Sequence, residues 1–426
     1  MKILLINLAL LVALTGFGQC PDSDVLLTSQ SEVDEFVELY PSCSTLSGNL
    51  RIESQDTEDP ITDLTGLNQL TTITGSLEIV RISYTDEDID SIIPASLTGL
   101  EGLTSVGKLI IGDEFLYPFT HITSLAPLGN LTGEIETIEL LQTIFYDDLP
   151  DFESVTSLGD FRMLICNGVS ETPTFPNLTS LRSFQVQGIY FEEDSLTLVT
   201  IPNVPLMESE ENEFNGVIVE HCNNLEAIVG GEGLQACDEV DIRSNEDLTT
   251  ITAFDDLLWT REFMYLYACH PEAFDSFKNL TLSKEMWIGV NQNCQGIWDA
   301  DNVNIRVGEF APHLRVRGYG FNLWVTGVEE VNLAANTDKL TALFMTLDGV
   351  EELNAFSMLD SLIQGPMDVG SMYVSAKNMS AFPSFPNLKY LAGTLTIQDA
   401  GFGNTISDLS GFESIQRVRK NITVRG

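Results

Sequence analysis

The chain has 426 residues, with 63 Asp and Glu against 20 Lys and Arg and a formal charge of −43. That balance excludes a nucleic-acid-binding face, which needs clustered cations, and disfavours direct attachment to anionic lipid. The acidic runs at 56–59, 86–90 and 208–211 lack the spacing and turn glycine of an EF-hand loop, so calcium stays an open partner without a motif.

Met1-Lys2 leads into the apolar stretch Ile3 to Leu14 and a small-residue exit ending at Gly18, which reads as a secretory signal peptide over residues 1–18. The apolar run is too short to span a bilayer, and no later stretch is long and apolar enough to do so. The remaining chain is therefore expected to be secreted or held at the cell surface. Cys20 then has two open readings. One is a lipid-anchor cysteine, against which Gln19 counts; the other is a disulfide with Cys43, which an oxidising compartment supports. Residues 19–47 are expected to form an N-terminal cap. Within them Ser31 to Tyr40 predicts a helix, with Ser31 as N-cap, Asp34 at the capping-box spacing, and Val33, Phe36, Val37 and Tyr40 on one face.

From residue 48 a phrase recurs: Gly48-Asn49-Leu50-Arg51-Ile52, Gly75-Ser76-Leu77-Glu78-Ile79, Gly107-Lys108-Leu109-Ile110-Ile111 and Gly393-Thr394-Leu395-Thr396-Ile397. The two aliphatic residues share one face of a strand and the residue between them faces outward. The glycine is expected to permit a bend before the strand. A second phrase, Leu64-Thr65-Gly66-Leu67, returns at Leu97-Thr98-Gly99-Leu100 and in part at Leu409-Ser410-Gly411-Phe412. Self-similarity at this period predicts a solenoid, because one rung cannot bury its apolar face alone. Residues 48–426 are read as one continuous array of about fifteen short parallel rungs, about 4.8 Å apart.

Later rungs are placed at 138–140, 163–165, 184–186, 217–219, 240–242, 264–266, 286–288, 314–316, 343–345, 372–374, 395–397 and 422–424. Asn245 and Asn291 fall at strand ends and predict a polar ladder inside the turns, with Cys222 and Cys269 at the matching place in their rungs. Cys222, Cys237, Cys269 and Cys294 cluster, so two bridges there are expected, with Cys222–Cys237 and Cys269–Cys294 as the pairing, although connectivity is not legible in a sequence. Cys166 is expected to be a buried thiol. Asn-x-Ser/Thr sequons at Asn130, Asn177, Asn279, Asn378 and Asn421 follow the wording of the repeat.

The order Cys20, helix, Cys43, then Gly48 to Ile52 resembles the opening of receptor L domains, the ligand-binding solenoid modules of insulin-receptor and epidermal-growth-factor-receptor ectodomains. The resemblance covers residues 20–132, with rungs clearest at 48–132, and again 385–426. It implies an all-β, right-handed parallel β-solenoid related to leucine-rich repeats, with an N-terminal capping helix, on an exported bacterial surface protein. No kinase segment or cysteine-rich module accompanies it, so signalling is not implied.

Chemistry is sparse. His121, His221, His270 and His313 are scattered outside any metal pattern, and no nucleophile elbow or phosphate loop occurs. Neither catalytic nor metal-ligating residues nor a cofactor is expected. The enzymatic alternative, a polysaccharide-cleaving β-helix, would use Asp241, Arg243 and neighbours on adjacent rungs. The favoured reading is non-enzymatic recognition or adhesion. The outward middle positions of the later strands read Tyr265, Trp287, Arg315, Phe344 and Tyr373, and Trp298 and Trp324 lie in the same region. Aromatics and arginine anchor interfaces, so these seven residues are the expected binding face for a protein or glycan. A structural spacer with no dedicated ligand is the remaining alternative.

Overall fold

The computed structural model describes residues 20–425 apart from 56–57, 83, 87–90, 115–119, 189–194, 208–215, 269–275, 292–301, 306–314, 327–329, 334–336, 351, 365–369, 380–381 and 400–407. The signal-peptide stretch, Cys269, Cys294, His270, His313 and Trp298 lie outside the described residues. The fold is an all-β parallel solenoid. It packs as two compact units, Met1–Leu181 with Glu193–Leu196, and Arg182–Glu192 with Thr197–Gly426.

The first unit opens on strand β1 (Val25–Leu27) and helix α1 (Gln30–Leu39). Its main strands are β2 (Leu50–Glu53), β3 (Thr72–Val80), β4 (Ser105–Gly112), β5 (Thr132–Leu141) and β6 (Ser154–Leu164), each parallel to the one before. The disulfide forms between Cys20 and Cys43, tying the start of the cap to the chain just after α1. The helix begins two residues earlier than its periodicity suggests. Ser29 is the N-cap and accepts from the Glu32 backbone N–H, while the Glu32 carboxylate reaches back to the Thr28 N–H at 2.6 Å. Ser29 and Glu32 thus cap the helix in place of Ser31 and Asp34, with the Glu32 carboxylate on the N–H one residue before the N-cap.

The second unit stacks β7 (Ser180–Gln187), β8 (Gly216–Glu220), β9 (Ala236–Asn245), β10 (Trp259–Ala268), β11 (Leu282–Asn291), β12 (Arg315–Thr326), β13 (Ala342–Asp348), β14 (Ser371–Lys377), β15 (Leu395–Asp399) and β16 (Ile422–Arg425), again all parallel. Short strands at 198–201, 227–230 and 250–251, and at 302–305, 330–333 and 352–355, form two smaller parallel sheets.

Inward residues such as Leu50, Leu77, Leu109 and Ile138 are fully buried and in register. Phenylalanines also stack along the core, Phe152 on Phe175 at 5.3 Å and Phe254 on Phe277 at 5.1 Å. The repeated glycine has a different role from the bend expected of it. Gly75 lies inside β3, and a Cβ there would meet the Gly48 carbonyl at 2.7 Å, so glycine is required by close approach between rungs.

Polar side chains bind rung to rung in recurring ladders. At the corner after β8, Asn245 donates to the Val219 carbonyl at 2.9 Å and accepts from the Cys222 N–H at 3.0 Å. This is the buried ladder expected at Asn245. The Asn-Leu-Thr phrase is a second ladder. Asn130, Asn177 and Asn279 donate to the carbonyls of Glu101, Glu153 and Asp255, and Thr132, Thr179 and Thr281 donate to Thr104, Thr156 and Leu258.

Candidate functional site

The expected Cys222–Cys237 bridge is absent. Both are buried thiols, as is Cys166, whose Sγ donates to the Leu140 carbonyl at 3.2 Å. Cys222 packs against Asn245 at one end of β9, whereas Cys237 lies eight positions back along that strand. Eight strand residues span roughly 25 Å, far beyond what a disulfide can bridge.

Strand register decides which outward residues are neighbours. In the first unit the middle row reads Arg51, Glu78, Ile110, Glu139, Arg162. Its charges close on one another: Arg51 bridges Glu78 at 2.8 Å and Glu53 at 2.9 Å, and Arg162 bridges Glu139 at 2.8 Å. The same row in the second unit reads Ile218, Asp241, Tyr265, Trp287, Asn322, Phe344, Tyr373. Tyr265, Trp287, Phe344 and Tyr373 therefore share one row, as expected. Arg315 does not. It pairs with Leu282, and Asn322 takes the place beside Trp287. β12 runs on for twelve residues, with a register shift opposite Ser283/Glu285, so its stacked rung is Phe321-Asn322-Leu323 and not 314–316. Trp324 falls in the next outward row, beyond Gly289 from Tyr267.

Three outward residues from each of three successive strands make a grid. β9 supplies Glu239, Asp241 and Arg243; β10 supplies Phe263, Tyr265 and Tyr267; β11 supplies Glu285, Trp287 and Gly289. Strand alternation places each trio on one face. Seven of the nine, all but Tyr267 and Gly289, join Ile218 and Glu220 of β8 in lining a cleft of about 360 Å³. Tyr265 and Trp287 stack with ring centroids 5.9 Å apart and planes 20° from parallel. Trp287 is 42% exposed, and its indole N–H donates to Glu285 at 2.5 Å. A second, smaller notch of about 100 Å³ adjoins it, lined in part by Tyr267, Gly289, Trp324 and Phe344. Gly289 makes that notch possible, since a Cβ there would lie 2.1 Å from the Tyr267 ring.

The acidic side of the cleft is strained electrostatically. Glu239 and Asp241 are only 4% and 6% exposed although they point outward. Burial is the main reason that the Glu239 carboxyl is pushed up to about 7, with the charges of Asp241 and Asp238 adding to it. Burial likewise raises Asp241 to about 6, against the pull of Arg243 and with the push of Glu220. Arg243 bridges Glu220 at 2.7 Å and Asp241 at 3.4 Å and sits 5.5 Å over the Tyr265 ring. Asp241 Oδ1 accepts no hydrogen bond from any described residue. His221 stands beside the cleft, 3.7 Å from Glu220, and burial lowers its pKa.

The aromatic row and Asp241 with Arg243 were legible in the sequence. Glu239, Glu285, Phe263, Tyr267, Gly289 and Glu220 were missed. The signal that finds them is the alternation on either side of the middle residue, in Glu239-x-Asp241-x-Arg243, Phe263-x-Tyr265-x-Tyr267 and Glu285-x-Trp287-x-Gly289. Among the described residues, no group of three or more His, Cys, Asp or Glu is placed to hold a metal ion, and no helix is long and apolar enough to cross a membrane.

The fold and the site together define a parallel β-solenoid that carries a carboxylate-and-aromatic cleft on the outer face of its main sheet. No family model, no curated protein and no solved structure matches the chain.

Proposed function

We propose that the protein is an extracellular or cell-surface recognition module that binds a glycan in the cleft around Tyr265 and Trp287. The observation that carries this reading is the near-parallel stacking of an exposed tryptophan on a tyrosine, directly beside the carboxylates of Asp241, Glu239 and Glu285. Flat aromatic faces receive the C–H faces of sugar rings, and carboxylates accept from sugar hydroxyls. The signal-peptide signature and the receptor-L-domain resemblance of residues 20–132 support an exported setting for such a module. A glycan screen on the protein tests it. Saturable binding is expected, and Trp287→Ala should reduce it at least about tenfold with an unchanged thermal midpoint, because the side chain is exposed. No glycan bound by folded protein would reject the reading in favour of a structural spacer or a protein ligand.

A second reading, glycoside hydrolysis, is favoured by one observation: two carboxyls raised to about 7 and about 6 lie on one strand face. Release of reducing ends from a bound glycan, abolished by Asp241→Asn, would establish it.

A further inference from the structure

The charge inside the cleft is lopsided. Glu220, Glu239, Asp241 and Glu285 line it against the single cation Arg243, and Arg243 is already engaged by Glu220, Asp241 and the Tyr265 ring. Asp241 is more than nine-tenths buried, yet its Oδ1 accepts from no described residue. A buried carboxylate oxygen without a donor is costly, and it is relieved by any ligand that brings one. The one indole donor in the wall, Trp287, is directed at Glu285. The cleft thus has a surplus of acceptors and few donors to offer.

A metal ion does not fit this arrangement, because the carboxylates are spread over three strands and form no coordinating group. An organic ammonium does fit. Its N–H groups supply charge-assisted donors to the carboxylates, and the faces of Tyr265 and Trp287 attract a cation beside them. The overall charge of −43 also draws a polycation toward the surface.

Resting on the glycan reading above, we propose that the cleft selects amino sugars with a free amine over neutral or N-acetylated sugars. The recognition divides between the two walls. The aromatic pair holds the ring, and the carboxylates of Asp241, Glu239 and Glu285 receive ammonium groups along the bound oligomer.

The test is calorimetric titration of the whole protein at neutral pH with a glucosamine oligomer and with the N-acetylglucosamine oligomer of equal length. The glucosamine oligomer is expected to bind tighter on the order of tenfold, the scale of a charge-assisted contact, and its affinity should fall as salt rises. Asp241→Asn and Glu285→Gln should each erase most of that preference without lowering the thermal midpoint, while Trp287→Ala weakens both oligomers. Equal binding of the two, or preference for the N-acetylated one, overturns the amine selectivity and leaves the glycan reading standing. A preference that survives both acid substitutions also overturns it. If neither oligomer binds and the wider screen yields no glycan, both readings fall. Binding of a lysine-rich peptide in place of both oligomers would overturn the sugar assignment and give the same acidic chemistry to a protein partner.

Discussion

Glu239 and Asp241 show how a residue's position in the sheet changes its chemistry. Each lies on the outward face of β9, but the aromatic residues of β10 and the carboxylates around them keep both nearly dry. Their folded pKa values, about 7 and about 6, lie above the ordinary carboxylate range. The folded protein therefore holds more protons than the unfolded chain between about pH 4 and pH 7, so stability is lost as pH rises through the folded values. The groups facing them are Asp238, Arg243, Glu262 and Glu220. Glu239→Gln with Asp241→Asn should melt higher than the wild type at pH 8, with the gap closing toward pH 5; an equal gap at both values would contradict the buried-charge account. Asn177 shows the opposite case, a polar side chain used only for support. Its amide donates to Glu153 one rung away at 2.8 Å, so Asn177→Ala should cost about 1 kcal/mol of stability in denaturant titration. The sequon wording at Asn130, Asn177 and Asn279 is thus explained by hydrogen bonding between rungs.

At the scale of the strand, alternation and register do different things. Alternation makes Tyr265 and Trp287 outward residues, and it could be read from their flanking Met264, Leu266, Met286 and Ile288. Register makes them neighbours, and it depends on how long each connection is. That is why Arg315 was misplaced: β12 begins before its stacked rung, and the extra residues near 316–320 are absorbed by the register shift. Gly289 is where one strand shapes the next. With no side chain on β11 at that place, the Tyr267 ring lies over the backbone toward Trp324, 6.0 Å away. Gly289→Ala should displace the Tyr267 ring and weaken glycan binding several-fold, measured by the same titration. Wild-type affinity in that variant would show that the notch beside Trp324 takes no part.

At the scale of the molecule, the two units distribute the same solenoid chemistry differently. In the first unit the middle row is closed by Arg–Glu pairs, whereas the second unit carries an aromatic row that ends on carboxylates sharing a single arginine. Matched exposed pairs contribute little stability, so the ladders read as a solvated coat and the cleft as the place where sequence departs from it. The excess of acidic residues repels itself throughout. Moderate sodium chloride should therefore raise the thermal midpoint by screening, and a fall with salt would contradict a net repulsive surface.

The repeat phrases alone determined that the chain is a parallel β-solenoid, because short apolar strands returning at a steady period can bury themselves only by stacking. The outward aromatic row also follows from alternation along the chain, whereas the choice at Cys20 between a lipid anchor and a disulfide with Cys43 was made by the structure. Only the tertiary structure decided that Cys222 and Cys237 stand too far apart to pair, that Asn322 replaces Arg315 beside Trp287, and that Glu239, Asp241 and Glu285 converge on the aromatic pair. Each of these depends on which residues of different rungs lie side by side. That is set by turn lengths and bulges between the strands, and local pattern does not record it.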